Sequence, residues 1–265
     1  TPPAGNASFM VAFGGDSITA SNAVIFDTIR EMAPLMFLQL GDINYKNIAT
    51  NDQSLFHAGL NENLAQSRQA QLYRTIPLDY VWDDHDSGPN NHDGSAASVA
   101  AAAAVYRNRI PSYTLPHATA IYHTFDIGRV RFIVTDQRSL ASANSATDNS
   151  SKSMLGAAQK TWFFDLLANS PGMLIVWVCP RLFGQPTTAG SDSWGGFTNE
   201  RAQIAAQIHA QCPGRVVVFS ADMHAAGIDD GSHHDFLSGG GEPLKCFQAA
   251  PLDIAVTGGG NIYSE

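Results

Sequence analysis

The chain has 265 residues, 44% of them hydrophobic and 15% charged, with a formal net charge of −9. Such a length and apolar content suit one folded domain over residues 1–265 with a sizeable core. The acidic balance argues against nucleic acid or an anionic bilayer as a partner, and no apolar run reaches the roughly 18 residues needed to span a membrane.

Phe9 to Phe13 is a short apolar run that stops at Gly14-Gly15-Asp16-Ser17, the pattern of a buried strand ending in a tight turn. Ala23 to Met32 carries helical periodicity, closed by Pro34. Leu35 to Leu40 reads as a second strand, again ending in Gly-Asp at Gly41-Asp42 with Tyr45 beyond. Strand, helix and strand make a βαβ unit whose acids fall at the carboxyl ends, where open α/β sheets place their ligands. Residues 46–76 read as polar helix with Leu55, Leu60, Leu64 and Leu72 as its apolar positions. Leu78 to Trp82 is a third strand, and Ala96 to Ala104 an alanine-rich helix.

Ile121 to Phe125 and Val130 to Thr135 are expected to pair through the turn Asp126 to Arg129. Ser139 to Ser153 reads as a surface loop, Met154 to Leu167 as a helix, and Met173 to Cys179 as a buried strand running into a Gly/Ser/Thr-rich loop. Asn199 to Gln211 is an amphipathic helix, followed by a β-branched strand over Arg215 to Ser220 that stops at Ala221-Asp222-Met223-His224. Gly227 to Gly241 reads as a solvated loop, and Leu252 to Thr257 as a last strand. Cys179, Cys212 and Cys246 lack metal-ligand spacing and fit either one disulfide with a free thiol or three buried thiols. The start at Thr1-Pro2-Pro3, without Met or signal peptide, reads as trimmed and favours a secreted or periplasmic protein.

The least ordinary stretch is Trp82-Asp83-Asp84-His85-Asp86, with Asn90-Asn91 after it. No Lys or Arg lies between Arg74 and Arg107 to offset these acids, so a bound cation is the simplest counter-charge. The pattern recurs: Asp16, Asp42 with Tyr45, Asp84 with His85, and Asp222 with His224 each stand where an apolar run stops. Brought together, they form a cluster of hard oxygen ligands with one or two imidazoles, suited to manganese, iron, calcium or zinc and able to hold two ions. Paired ions of this kind activate water and stabilise the attacking and leaving oxygens of phosphoester hydrolysis.

Gly41-Asp42-x-x-Tyr45, Trp82-Asp83-Asp84-His85-Asp86 with Asn90-Asn91, and Ser220-Ala221-Asp222-Met223-His224 resemble the signature blocks of the PhoD-like alkaline phosphatases, within the calcineurin-like metallophosphoesterases. Thr135-Asp136-Gln137-Arg138, Met154-Leu155-Gly156 with Gln159 and Trp162, and Trp194 to Phe197 with Glu200-Arg201 resemble supporting blocks, in the family's order. The resemblance implies a four-layer αββα sandwich and hydrolysis of phosphate monoesters or diesters, phospholipids included, by a metal-bound hydroxide. It implies Asp42 as a bridging ligand, Asp16, Tyr45 and His224 on a first ion, and Asp84, Asn91 and Asp222 on a second. Ferric iron is implied at the first site by the tyrosine and calcium at the second, with manganese or zinc as alternatives. His85 would contact the phosphoryl group and protonate the leaving oxygen, and Arg138 would clamp phosphate. Members often carry Cys where this chain has Asp16, and longer relatives have a large amino-terminal β domain. Asp83 competes with Asp84 for the metal; Asp84 is favoured because it directly precedes His85.

Two other readings fit parts of the sequence. Phe13 to Ile18 resembles the Gly-Asp-Ser block of GDSL serine esterases, with Ser17 as nucleophile and Asp230 and His233 completing a triad. A non-catalytic metal- or phosphate-binding protein would carry the same ligands without turnover.

Overall fold

The alternation of side chains along each strand decides the layering. The computed structural model describes residues 5–256 and 263–264. Strands β1 (Val11–Gly14), β2 (Met36–Gln39) and β3 (Leu78–Tyr80) form a parallel sheet in that order, with helix α1 (Ile25–Glu31) crossing from β1 to β2. Helices α2 (Gln53–Leu64) and α3 (Ser67–Thr75) connect β2 to β3, and α4 (Asp84–Ser87) and α5 (Val99–Arg109) follow. The second sheet contains β4 (His123–Ile127), β5 (Val130–Val134), β6 (Leu174–Val178), β7 (Val216–Ser220), β8 (Ala226–Asp229) and β9 (Lys245–Ala249), in the order β4-β5-β6-β7-β9-β8. Its inner strands run parallel, and only the edge strands β4 and β8 are antiparallel to their neighbours. Helices α6 (Gly156–Ala168) and α7 (Thr198–Gln211) complete the α-helices among the described residues, with a 3-10 turn at Trp194–Gly196 before α7.

On β2, Phe37 packs with Phe26, Ile29 and Leu72 of α1 and α3, whereas Met36 and Leu38 face the other way. On β5 and β6, Phe132, Val134, Val176 and Val178 join Met36 and Leu38 in the central core, while Ile133, Ile175 and Trp177 meet Phe163, Ile204 and Ile208 of α6 and α7. A period of two therefore sorts each strand into an inter-sheet face and a helix-covered face. The result is the four-layer αββα sandwich expected from the sequence, with the Phe13 and Phe219 rings stacked 4.0 Å apart between the sheets.

Three expectations need correction. Residues 46–76 form two helices after an irregular stretch, and Leu55 and Leu64 lie exposed. The last strand is Lys245–Ala249 instead of Leu252 to Thr257. Its polar sequence hid it, although Cys246 and Gln248 are its buried face. Leu252 instead donates its N–H to the Gly15 and Asp16 carbonyls, so this segment wraps the end of β1; Thr257 lies outside the described residues. The reading of Gly227 to Gly241 as a solvated loop fails at its start, where β8 adds an edge strand and Asp229 and His234 are buried. All three cysteines are free, buried thiols. No described helix is long and apolar enough to cross a membrane.

Candidate metal centre

Because β1, β2, β3 and β7 end their apolar runs at one rim, their terminal acids meet there. Main-chain bonds join the strand ends: Asp16 N–H donates to the Gly41 carbonyl at 3.1 Å and Ser17 N–H to the Asp42 carbonyl at 2.8 Å. Asp222 N–H donates to Asp16 Oδ2 at 3.0 Å. Two glycines permit this closeness. A Cβ on Gly15 would lie 2.9 Å from the Ala221 Cβ, and one on Gly41 2.7 Å from the Asp83 backbone nitrogen. Gly41 also has φ +95°, which side-chain-bearing residues rarely adopt.

Asp16 (φ 62°), Asp42 (53°), Asn91 (58°), Asp222 (70°) and His224 (47°) all occupy the left-handed backbone region. Asp and Asn tolerate that conformation best, yet each instance costs energy and persists only where surroundings enforce it. Here the conformation turns each chain sharply at its strand end or loop, so that side chains converge on the rim.

The Tyr45 hydroxyl lies 2.9 Å from His224 Nε2 and donates to Asp16 Oδ1 at 3.2 Å, while His224 Nε2 lies 3.3 Å from the same oxygen. One oxygen each from Asp42 and Asp84 and one ring nitrogen of His85 lie within 4.8 Å of one another, and so do oxygens of Asp83, Asp84 and Asp222. Asp84 belongs to both triplets. Asn91 is exposed and reaches the site through its main chain, donating its N–H to Asp84 Oδ2 at 2.5 Å.

Asp42 Oδ1, Asp83 Oδ2 and Asp84 Oδ1 are buried without a hydrogen-bond donor. Ionised carboxylate oxygens only accept, and leaving them dry and unpaired is costly. Burial pushes the Asp42 carboxyl well up, and Asp84, Asp16, Asp86 and Asp83 add repulsion. Burial raises Asp222 too, with Asp83 and Asp192 outweighing Arg138. Burial and then the charges of Asp42 and Asp16 raise the Tyr45 phenol. At Asp84 burial opposes ionisation, but Arg138, His85 and the Asn91 N–H prevail and lower it. His85 is lowered, burial outweighing the pull of Asp84. His224 is raised, chiefly by its bond to Asp16. The hard-oxygen donor set, the orphaned oxygens and the mutual repulsion together fit two cations.

Arg138 is placed differently from the phosphate clamp expected of it. Its guanidinium is fully buried; Nε pairs with Asp83, Nη1 with Asp192 at 2.9 Å, and Nη2 lies 3.4 Å from Asp84 Oδ1 and 3.7 Å from Asp222 Oδ1. It stands behind the carboxylates, with no surface left for a phosphate. Arg181 is equally buried and joins Arg138 in donating to the His92 carbonyl. The serine-esterase triad is not assembled: Ser17 is fully buried with an unpartnered hydroxyl, and His233 pairs with Asp229 at 2.6 Å instead of Asp230.

Sequence reasoning assigned no role to several residues that build the site. Asp86 accepts from the N–H groups of Asp42 (2.6 Å), Ile43 (3.0 Å) and Asp83 (3.2 Å) and from the Asn44 amide (3.2 Å). Asp136 accepts from the Trp82 indole at 3.0 Å and from Ser139 and Ile121. Asn47 holds His85 Nδ1 at 2.8 Å. Asp86 was visible as one more acid in the knot; only packing shows that it faces inward.

Residues 10–242 match the PhoD-like phosphatase family. A solved structure of PhoD superposes with a TM-score of 0.80 at 20% identity, covering 95% of this chain and 58% of that one. Purple acid phosphatase PPD1 from seeds of yellow lupin (Lupinus luteus) superposes with a TM-score of 0.52 at 12% identity, covering 86% of this chain and 40% of that one. The chain thus spans under two-thirds of the length of either structure. No curated protein sequence matches it.

Proposed function

This chain belongs to the PhoD-like phosphatase family, and from that premise we propose that it hydrolyses phosphate esters with cations held at the rim of its sandwich. The observation that carries the reading is the buried carboxylate cluster with unpartnered oxygens on Asp42, Asp83 and Asp84. Asp42 would be shared between two ions. Asp16, Tyr45 and His224 would hold one, and Asp84, Asn91 and Asp222 the other. A phenol between two carboxylates gives up its proton only to a strongly charged cation, which favours ferric iron beside Tyr45. The all-oxygen second set favours calcium. Manganese or zinc suits the donors too.

When bound, such ions acidify a water and draw charge from phosphoryl oxygens. The chain's own residues do the rest. Asp16 and Asp42, locked in left-handed turns, orient the site without reorganising during reaction. His85 is half-buried at the edge of the cluster and exchanges a proton with the attacking or departing oxygen. Arg138 balances the charge of Asp83 and Asp84 from behind and favours the ionised form of Asp84. Monoesters and diesters, phospholipid headgroups among them, are the substrate class.

The test is metal stripping with EDTA, reloading with iron and calcium or with manganese or zinc, and assay of p-nitrophenyl phosphate and bis-p-nitrophenyl phosphate. Turnover should vanish on stripping, return on reloading, and survive in Ser17→Ala. No turnover of either ester with metals bound would leave a binding protein and end the phosphatase reading.

A further inference from the structure

Asn47 was singled out by nothing in the sequence, yet its side chain is fixed from three directions. The backbone N–H of Asn90 donates to Asn47 Oδ1 at 2.9 Å. The amide Nδ2 donates to the Tyr45 carbonyl at 3.3 Å. A backbone N–H can only donate and a carbonyl can only accept, so these two partners set which end of the amide is oxygen. His85 Nδ1 lies 2.8 Å from that same oxygen. An amide oxygen cannot donate, so Nδ1 must carry the proton. In the neutral ring the proton is then absent from Nε2. The Tyr45 ring, 4.2 Å from the His85 ring between centroids, limits rotation of the imidazole.

We propose that Asn47 is a positioning residue that holds His85, whose ring lies beside Asp42 and Asp84, as the Nδ1–H tautomer, so that Nε2 carries the lone pair, accepting instead of donating. The proposal rests on the phosphatase reading for its consequence: the neutral ring takes a proton from water or a substrate oxygen, and can hand one over only after receiving it. This refines the sequence expectation for His85, in which the ring began as the donor. Asn47 acts through His85 and touches no reacting atom. Its own φ of 51° is left-handed, which both Gly and Asp accept readily. Asn47→Gly therefore deletes the acceptor without straining the turn, and Asn47→Asp keeps an acceptor in place.

The experiment is long-range 1H–15N correlation of the histidine rings in metal-free protein at about pH 8, above the ordinary histidine range. In the native chain the His85 signals, assigned by their loss in His85→Gln, should show a pyrrole-type Nδ1 and a pyridine-type Nε2. In Asn47→Gly both nitrogens should move toward averaged values, and Asn47→Asp should restore the native pattern. With metals reloaded, kcat of Asn47→Gly should fall about tenfold or more at nearly unchanged KM, the scale of losing a group that orients a site residue, with recovery in Asn47→Asp. A pyridine-type Nδ1 in the native protein overturns the proposal, as does a spectrum and kcat unmoved in Asn47→Gly. The spectrum needs no turnover. Absence of hydrolysis by the native chain would thus sink the phosphatase reading separately, while the tautomer is judged by the spectrum.

Discussion

Asp83 and Asp84 are neighbours in sequence and equally buried, and each gives one oxygen to a donor and leaves the other without one, so their surroundings must tell them apart. Asp83 Oδ1 takes the Arg138 Nε–H, and burial still pushes its carboxyl up despite that partner. Asp84 Oδ2 takes the Asn91 N–H, and Asp84 belongs to both groupings of candidate ligands, with Asp42 and His85 in one and with Asp83 and Asp222 in the other. We propose on that ground that Asp84 would be the ligand and Asp83 the partner that keeps Arg138 paired. Asp84→Asn should lower metal content at the rim and cut activity about 100-fold, the upper range for disturbing a metal's surroundings. Asp83→Asn should retain metal but lose about 3 kcal/mol of stability, because the buried guanidinium loses its Nε partner and keeps only Asp192, Asp84 and Asp222. Metal analysis and chemical denaturation of the two variants separate these roles. Metal loss in Asp83→Asn with full loading in Asp84→Asn would reverse the assignment.

Between elements, what matters is how separate strand ends are tied. Asp86 sits on α4, after β3, and its carboxylate grips the turn after β2 through Asp42, Ile43 and Asn44, as well as its own chain at Asp83. One side chain thereby fixes the left-handed Asp42 relative to Asp84. Asp86→Asn keeps the shape but turns one oxygen into a donor facing N–H groups. It should cost about 2 kcal/mol, the scale of unsatisfying buried groups. It should also weaken metal binding about tenfold through the displaced Asp42. Calorimetric metal titration beside thermal unfolding checks both; weakened stability with native affinity would make Asp86 a fold residue alone. This level also marks the limit of the sequence reading. Asp16, Asp42, Asp84 and Asp222 were legible because parallel strands put apolar run-ends on one rim, so local pattern and tertiary position coincide. Asp86 and Asn47 were not, because their partners lie 44 and 38 positions away, on chain segments no periodicity connects. Arg138, read as a phosphate clamp, lies buried among Asp83, Asp84 and Asp192, a placement hidden from the sequence because an arginine beside acids reads alike whether it faces solvent or packs behind them. β9 was missed because its buried face is Cys246 and Gln248, not an apolar run.

The whole molecule carries an electrostatic cost in one place. Asp16, Asp42, Asp83, Asp84 and Asp86 repel one another at the rim, and Arg138 lies against Asp83, Asp84, Asp192 and Asp222, so without added cations the rim repels itself. Burial raises Asp42 and Asp222 well above the ordinary carboxylate range and Asp86 to about 7. A carboxyl whose folded pKa is raised binds more protons folded than unfolded. Its contribution is present below the unfolded value and is lost as pH rises through the folded one. Metal-free protein should thus become steadily less stable from about pH 4, the unfolded carboxylate value, up through pH 7, where Asp86 is half ionised. Cations reverse the slope, because each binds the ionised form and displaces protons as it does so. Thermal unfolding with EDTA should give a melting temperature that falls across this window. The same scans with saturating calcium and manganese should show it level or rising, and titration calorimetry in buffers of different ionisation enthalpy should record protons released on binding. An EDTA-treated protein equally stable at pH 5 and pH 8, releasing no protons when metal is added, would mean that the rim acids are ionised and solvated without a cation, and the electrostatic case for a metal centre would fall.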